Sequence, residues 1–242
     1  MHEEPSGLNR AAEFARISSE LRALPEEQPT LERIVELAVQ TIPACDFCGV
    51  TLSTKDGVES PAASSRVVEK LDALQNELSE GPCLSALFAL DTYVIDDVGA
   101  DKRWPQWSPR AHDLGIGSVL SLRLSTPNQV LGALNLYAAA TAAFDPTDVA
   151  VASIFARHAA DALDVAQERK GLRIALRSRQ LIGVAQGMLM QRYELTLDQS
   201  FEVLRRYSQD QNIRLRDLAE QLVADGHIAD DQANPFAAVQ PS

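Results

Sequence analysis

At 242 residues the chain holds one large domain or two modest ones, and 45% hydrophobic with 23% charged residues is the balance of a folded globular protein. A net charge of −12 excludes indiscriminate attraction to nucleic acid, and three cysteines exclude a disulfide framework. The acidic start Met1-His2-Glu3-Glu4 lacks the apolar core of a secretory signal, and the apolar run 130–140 is too short to span a bilayer, so a cytoplasmic protein without membrane contact is expected.

Residues 7–42 read as two helices. Leu8, Ala11, Ala12, Ala15, Leu21 and Leu24 mark the first, which serves either as an interface element or as a packing lid. After a break between Pro25 and Pro29, Thr30 is the expected cap of the second, with Leu31, Ile34, Val35, Leu37 and Ala38 along one side.

From 44 to 144 the texture changes to short strands. Residues 47–53 alternate and run into Thr54-Lys55-Asp56-Gly57, a hairpin turn with 58–65 as the return strand. A helix over 67–78 follows, then strands at 93–96, 118–125 and 129–138. Strands flanked by helices on both sides predict an α+β fold around an antiparallel sheet. Val50, Leu52, Leu120, Leu122, Leu134 and Leu136 line either a ligand pocket or a filled core.

Asp145 is placed to cap a long helix, with Pro146 just inside it. Val151, Phe155, His158, Ala162, Val165, Arg169, Leu172, Leu176 and Arg179 recur at threes and fours along it. Such a heptad-like seam is hidden by a parallel dimer, or by the helix packing on its own domain.

Residues 177–223 read as three consecutive helices. The first carries Ile182, Ala185 and Leu189 on one face and ends near Arg192 and Tyr193. Thr196 with Gln199 is a capping-box signature for the second, whose stripe is Leu197, Phe201 and Leu204. Asn212 is the expected cap of the third, carrying Leu215, Leu218, Ala219, Leu222 and Val223, with Gly226 as its stop. Short amphipathic helices bury their stripes only against each other, so a bundle is expected. Residues 166–216 hold 10 Lys/Arg against 5 Asp/Glu, while 1–165 hold 12 against 24 and 217–242 none against 5. The positive block coincides with the predicted bundle.

Two family resemblances attach to these segments. Ile182-Gly183-x-Ala185-Gln186-Gly187-Met188-Leu189-Met190, then Phe201-x-x-Leu204-Arg205, Ser208-Gln209 and Asn212-x-Arg214-Leu215-Arg216-Asp217-x-Ala219, resemble an ANTAR domain, the RNA-binding output module of bacterial antitermination regulators. The resemblance implies a target of paired RNA hairpins in a nascent leader transcript. Gln186 stands where this family usually has Lys, Ile213 where a basic residue is common, and Ser200 where Ala is typical. Glu80-Gly81-Pro82-Cys83-Leu84, Val94-Ile95-Asp96-Asp97, Arg103-Trp104-Pro105, Gly115-x-Gly117-Ser118 and Leu131-Gly132-Ala133-Leu134-Asn135 resemble a GAF domain, in particular the variety found ahead of ANTAR modules in actinobacterial proteins. The expected layout is an N-terminal helix over 1–27, a GAF domain over 28–165 that senses or dimerises, an ANTAR domain over 166–226 and a disordered acidic tail over 227–242.

No enzymatic constellation is recognisable, and neither a cofactor nor a metal site is expected. Cys45-x-x-Cys48 has only Cys83 as a further thiol, short of four zinc ligands, and it sits at a strand start rather than a helix N-terminus. His2, His112, His158 and His227 are scattered, and no phosphate loop or nucleophile elbow occurs. The residues expected to touch RNA are Gln186, Arg192, Arg205, Ser208, Gln209, Asn212, Arg214 and Arg216: cations for phosphates, amides for splayed bases. Arg214 has a competing reading as an ion pair with Asp217, and Tyr207 is either a stacking platform or a core edge. A homodimer and a small-molecule ligand of the GAF domain are further expected partners. The rival functions are a DNA-binding regulator of helix-turn-helix type and a protein-interaction module.

Overall fold

Period-two alternation resolves into five strands: β1 (Phe47–Thr54), β2 (Gly57–Ala63), β3 (Thr92–Ile95), β4 (Ser118–Ser125) and β5 (Val130–Ala138). They form one antiparallel sheet in the order β2-β1-β5-β4-β3. The computed structural model describes residues 7–55, 57–88 and 92–225. The expectations for the tail 227–242, Gly226, Asp56 and the first four residues lie outside these. β1 and β5 approach so closely that a Cβ on Gly132 would stand 2.0 Å from the Thr51 carbonyl oxygen, so glycine is required there.

Helices cover both faces of the sheet. On one side lie α1 (Gly7–Ala23), α2 (Glu27–Thr41) and the start of α6 (Pro146–Tyr193), packed on Val50, Leu52, Leu120, Leu122, Leu134 and Leu136. Those six side chains are filled core rather than pocket lining. On the other side lie α3 (Arg66–Leu78), α4 (Pro82–Phe88) and α5 (Trp107–Asp113), with Trp107, Val119 and Tyr137 buried among them. α5 has no counterpart in the sequence reading, because a single turn pair carries too little periodicity to register.

Several expectations shift. The buried stripe of α1 is Phe14, Ile17 and Leu21, while Ala11, Ala12 and Ala15 are exposed, because the larger side chains bury more apolar area and set the phase. Thr30 is not a cap. Glu26 holds that position and the Thr30 hydroxyl donates to its carbonyl oxygen at 2.7 Å, with Pro29 tolerated in the first turn. Asp145 does cap α6: its Oδ1 accepts from the Asp148 amide at 2.8 Å and its own amide donates to Asp148 Oδ2 at 3.2 Å.

α6 is continuous over 48 residues, and the chain divides into two compact units between Lys170 and Gly171. In the first unit the expected seam is partly used up. Phe155 and Ala162 are buried in that unit's own core, and His158 stacks on Phe14 with ring centroids 6.0 Å apart. Leu172 and Leu176, by contrast, are 65% and 60% exposed.

The second unit is a three-helix bundle of the end of α6, α7 (Leu197–Asp210) and α8 (Leu215–Asp225), closed on Ala185, Leu189, Leu204, Leu218, Ala219 and Leu222. α6 ends at Tyr193, Glu194 takes a left-handed φ of 55°, and the capping box forms: Gln199 N–H donates to Thr196 Oγ1 at 3.3 Å while Thr196 N–H donates to Gln199 Oε1 at 2.9 Å. Asn212 is not the cap of α8. It adopts φ 53° and closes α7, while α8 starts at Leu215 and the Arg214 carbonyl takes the Asp217 and Leu218 amides at 2.9 and 3.0 Å. Leu197 and Phe201 leave the expected stripe, whose inner positions are Ser200 and Leu204.

Candidate nucleic-acid interface

The α7–α8 corner gathers most of the predicted contacts. Ser208 Oγ donates to the Ile213 carbonyl at 2.7 Å, which folds the connecting loop back onto α7 and spends that hydroxyl on structure. The loop so pinned presents Asn212 and Arg214, both exposed, beside exposed Gln209 on the last turn of α7. The side chains of Gln209, Asn212 and Arg214 have no hydrogen-bond or ion-pair partner among the described residues. Arg214 therefore does not pair with Asp217; Arg216 does, through Nε and Nη2 at 2.9 and 2.8 Å.

Arg205 lies one turn before Gln209 and is held by Glu202 through Nη2 at 2.5 Å. Both partners are more than half exposed, and such an i,i+3 pair contributes at most about 1 kcal/mol, so a phosphate can displace the carboxylate. Arg192 is exposed at the end of α6, with its guanidinium 5.6 Å from the Tyr193 ring centroid. Gln186 is turned inward: Nε2 donates to the Leu197 carbonyl at 3.2 Å and lies 3.5 Å from Ser200 Oγ, bracing α6 against the first turn of α7. Tyr207 packs at the edge of the bundle core.

The sequence reading missed Phe201, whose ring is 38% exposed, with Leu197 59% exposed one turn before it. The signal was Ser200. A small residue buried at that point of the helix, with its hydroxyl 3.5 Å from Gln186 Nε2 of α6, leaves Phe201 next to it turned outward.

In the first unit the sheet face under α3 and α4 carries a polar row across four strands. Ser60 Oγ lies 3.3 Å from Thr51 Oγ1, Asn135 Nδ2 donates to Thr51 Oγ1 at 3.1 Å, and Ser121 Oγ donates to Asn135 Oδ1 at 2.6 Å. Burial pushes the nearby Cys83 thiol up to about 12, and the Cys45 thiol likewise, so neither is a thiolate at neutral pH. Among the described residues no group of His, Cys, Asp or Glu is placed to hold a metal ion.

A family model for the GAF domain matches residues 26–164, and one for the ANTAR domain matches residues 170–223. The chain is a GAF and ANTAR domain regulator. A comparison with curated proteins yields no match. Among solved structures the GAF fold is similar to the GAF domain of a phosphoenolpyruvate-protein phosphotransferase from Coxiella burnetii, at TM-score 0.52 and 16% identity, covering 69% of this chain and 99% of that one. It is also similar to a Stigmatella aurantiaca phytochrome photosensory core module, at TM-score 0.55 and 11% identity over 83% of this chain and 45% of that one. Free methionine-R-sulfoxide reductase from Neisseria meningitidis matches at TM-score 0.50 and 14% identity, covering 69% of this chain and 96% of that one. At these identities the likeness is one of fold. No helix among the described residues is long and apolar enough to cross a membrane.

Proposed function

We propose that the ANTAR bundle binds hairpin loops in nascent leader RNA, that binding favours an antiterminator form, and that the GAF domain sets how much of the bundle is competent. The observation that carries the reading is the α7–α8 corner, where Gln209, Asn212 and Arg214 stand exposed and unpartnered beside a displaceable Arg205. Cations there meet phosphates, and the two amides meet the Watson–Crick edges of unstacked bases. Arg216 at the start of α8 extends the positive rim and Arg192 offers a second cation at the other end of α7, whereas Gln186 and Ser208 support the shape of the bundle rather than touching RNA.

The GAF domain acts as an input, through a small molecule or a change in self-association, and α6 is the element both units share. An input alters output only by favouring one of two states with different RNA affinity. A dimer formed along Leu172 and Leu176 presents two bundles, and two linked hairpins then bind with avidity. We take the protein to be cytoplasmic and non-enzymatic; the buried thiols of Cys45 and Cys83, with raised pKa, are not nucleophiles at neutral pH.

The test is a mobility shift with a two-hairpin leader RNA. Binding at low salt that weakens steeply as salt rises supports the reading, and absence of binding at low salt overturns it. Competition by duplex DNA as strong as by hairpin RNA favours a DNA-binding regulator instead.

A further inference from the structure

We propose that Phe201 is a stacking platform for an unpaired RNA base, an inference that rests on the RNA-binding reading above. The ring is 38% exposed while its chain neighbour Ser200 is fully buried, so α7 turns a hydroxyl into the core and an aromatic ring towards solvent. Leu197, one turn before Phe201, is 59% exposed and extends the same apolar strip.

What surrounds the ring favours a nucleic acid as its occupant. Arg205 lies one helical turn beyond Phe201 and Ser208 two turns beyond, so the ring, a guanidinium and the loop bearing Asn212 and Arg214 share one flank of α7. On the other side Gln186 braces α6 against the turn carrying Leu197 and Ser200. Three positions before Gln186, a Cβ on Gly183 would meet nothing within 4 Å, and the same holds at Gly187. The surface of α6 is therefore open at these two positions, one turn from Gln186 and next to it in the chain. An aromatic ring with Arg205 one turn beyond it and Arg214 on the loop suits a flat base on a charged backbone: a phosphate displaces Glu202 from Arg205 and the ring takes the π face. An apolar partner helix would have to desolvate the exposed Arg205–Glu202 pair and Arg214 without offering either a new partner.

The test measures binding of labelled two-hairpin leader RNA by the full chain across a salt series, with Phe201→Ala, Phe201→Leu, Phe201→Tyr and Phe201→Trp. Ala and Leu are expected to weaken binding roughly tenfold to a hundredfold, while Tyr stays within about threefold of wild type. The dependence of affinity on salt is expected to stay the same, because no charge is lost. In Phe201→Trp, RNA quenches a new emission component beyond that of Trp104 and Trp107. If Phe201→Ala lowers helicity, the Leu and Trp variants carry the test. Wild-type binding with Ala and Leu variants of equal affinity overturns the platform. So does an affinity loss that tracks a fall in assembly mass by light scattering, which marks the ring as a contact between copies. Failure of the wild type to bind RNA at low salt is a different result, and it removes the underlying reading.

Discussion

Tyr137 Oη donates to Asp72 Oδ1 at 3.4 Å between β5 and α3, and the second carboxylate oxygen, Oδ2, has no hydrogen-bond partner among the described residues. Burial pushes the Asp72 carboxyl up to about 6 against hydrogen bonds that pull it down. The folded chain thus keeps a proton that the unfolded chain releases near pH 4, so the stabilising contribution is complete below that pH. It is lost as pH rises through about 6. Unfolding in urea is expected to show Asp72→Asn losing about 2 kcal/mol less stability than wild type between pH 4.5 and 7.5. Equal losses in the two proteins would sink this account of the carboxyl.

The capping box at the head of α7 has a separable effect. Thr196→Ala removes the acceptor for the Gln199 amide and is expected to lower the stability of the bundle by about 1 kcal/mol. Hydrogen exchange across α7 reads this directly, and unchanged protection there would contradict it.

Arg214 and Arg216 make a discriminating pair. Arg214→Ala is expected to weaken leader-RNA binding and to lower the slope of log affinity against log salt by about 0.7 to 0.9, the share of one phosphate. Arg216→Ala is expected to act less on RNA, because its guanidinium already serves Asp217. Equal salt slopes in wild type and Arg214→Ala would remove Arg214 from the contact set.

Leu172 and Leu176 test association. Two large apolar side chains so exposed, one turn apart, are expected to lie in a helix–helix seam. Leu172→Glu with Leu176→Glu is expected to convert a dimer to a monomer in sedimentation and to weaken two-hairpin RNA binding more than one-hairpin binding. A monomeric wild type at micromolar concentration would refute the seam.

Much of this architecture is readable in the sequence because alternation, turn residues and caps each act locally. β1, β4 and β5 lie within a residue of their expected bounds, and Thr196 and Asp145 cap where predicted. What was not legible depended on which of two plausible faces packs. Phe201 follows the spacing of a core residue, yet α7 turns Ser200 and Leu204 inward instead. The first part of the α6 seam has heptad spacing, yet the first unit's own core, not a second copy, takes Phe155 and Ala162. Likewise side-chain reach rather than spacing gives Arg205 and Arg216 their carboxylate partners and leaves Arg214 without one among the described residues.

The row of Ser60, Thr51, Asn135 and Ser121 works as a checksum on strand alignment. Moving β5 by two residues would keep its inward face inward but set Ala133 or Tyr137 where Asn135 now stands. The buried Ser121 hydroxyl would then lose its partner, at about 1–3 kcal/mol, and Thr51 would keep only Ser60. Apolar side chains tolerate such slippage, whereas a chain of matched donors and acceptors rejects it, so these four small polar residues proofread the sheet that the leucines merely bury.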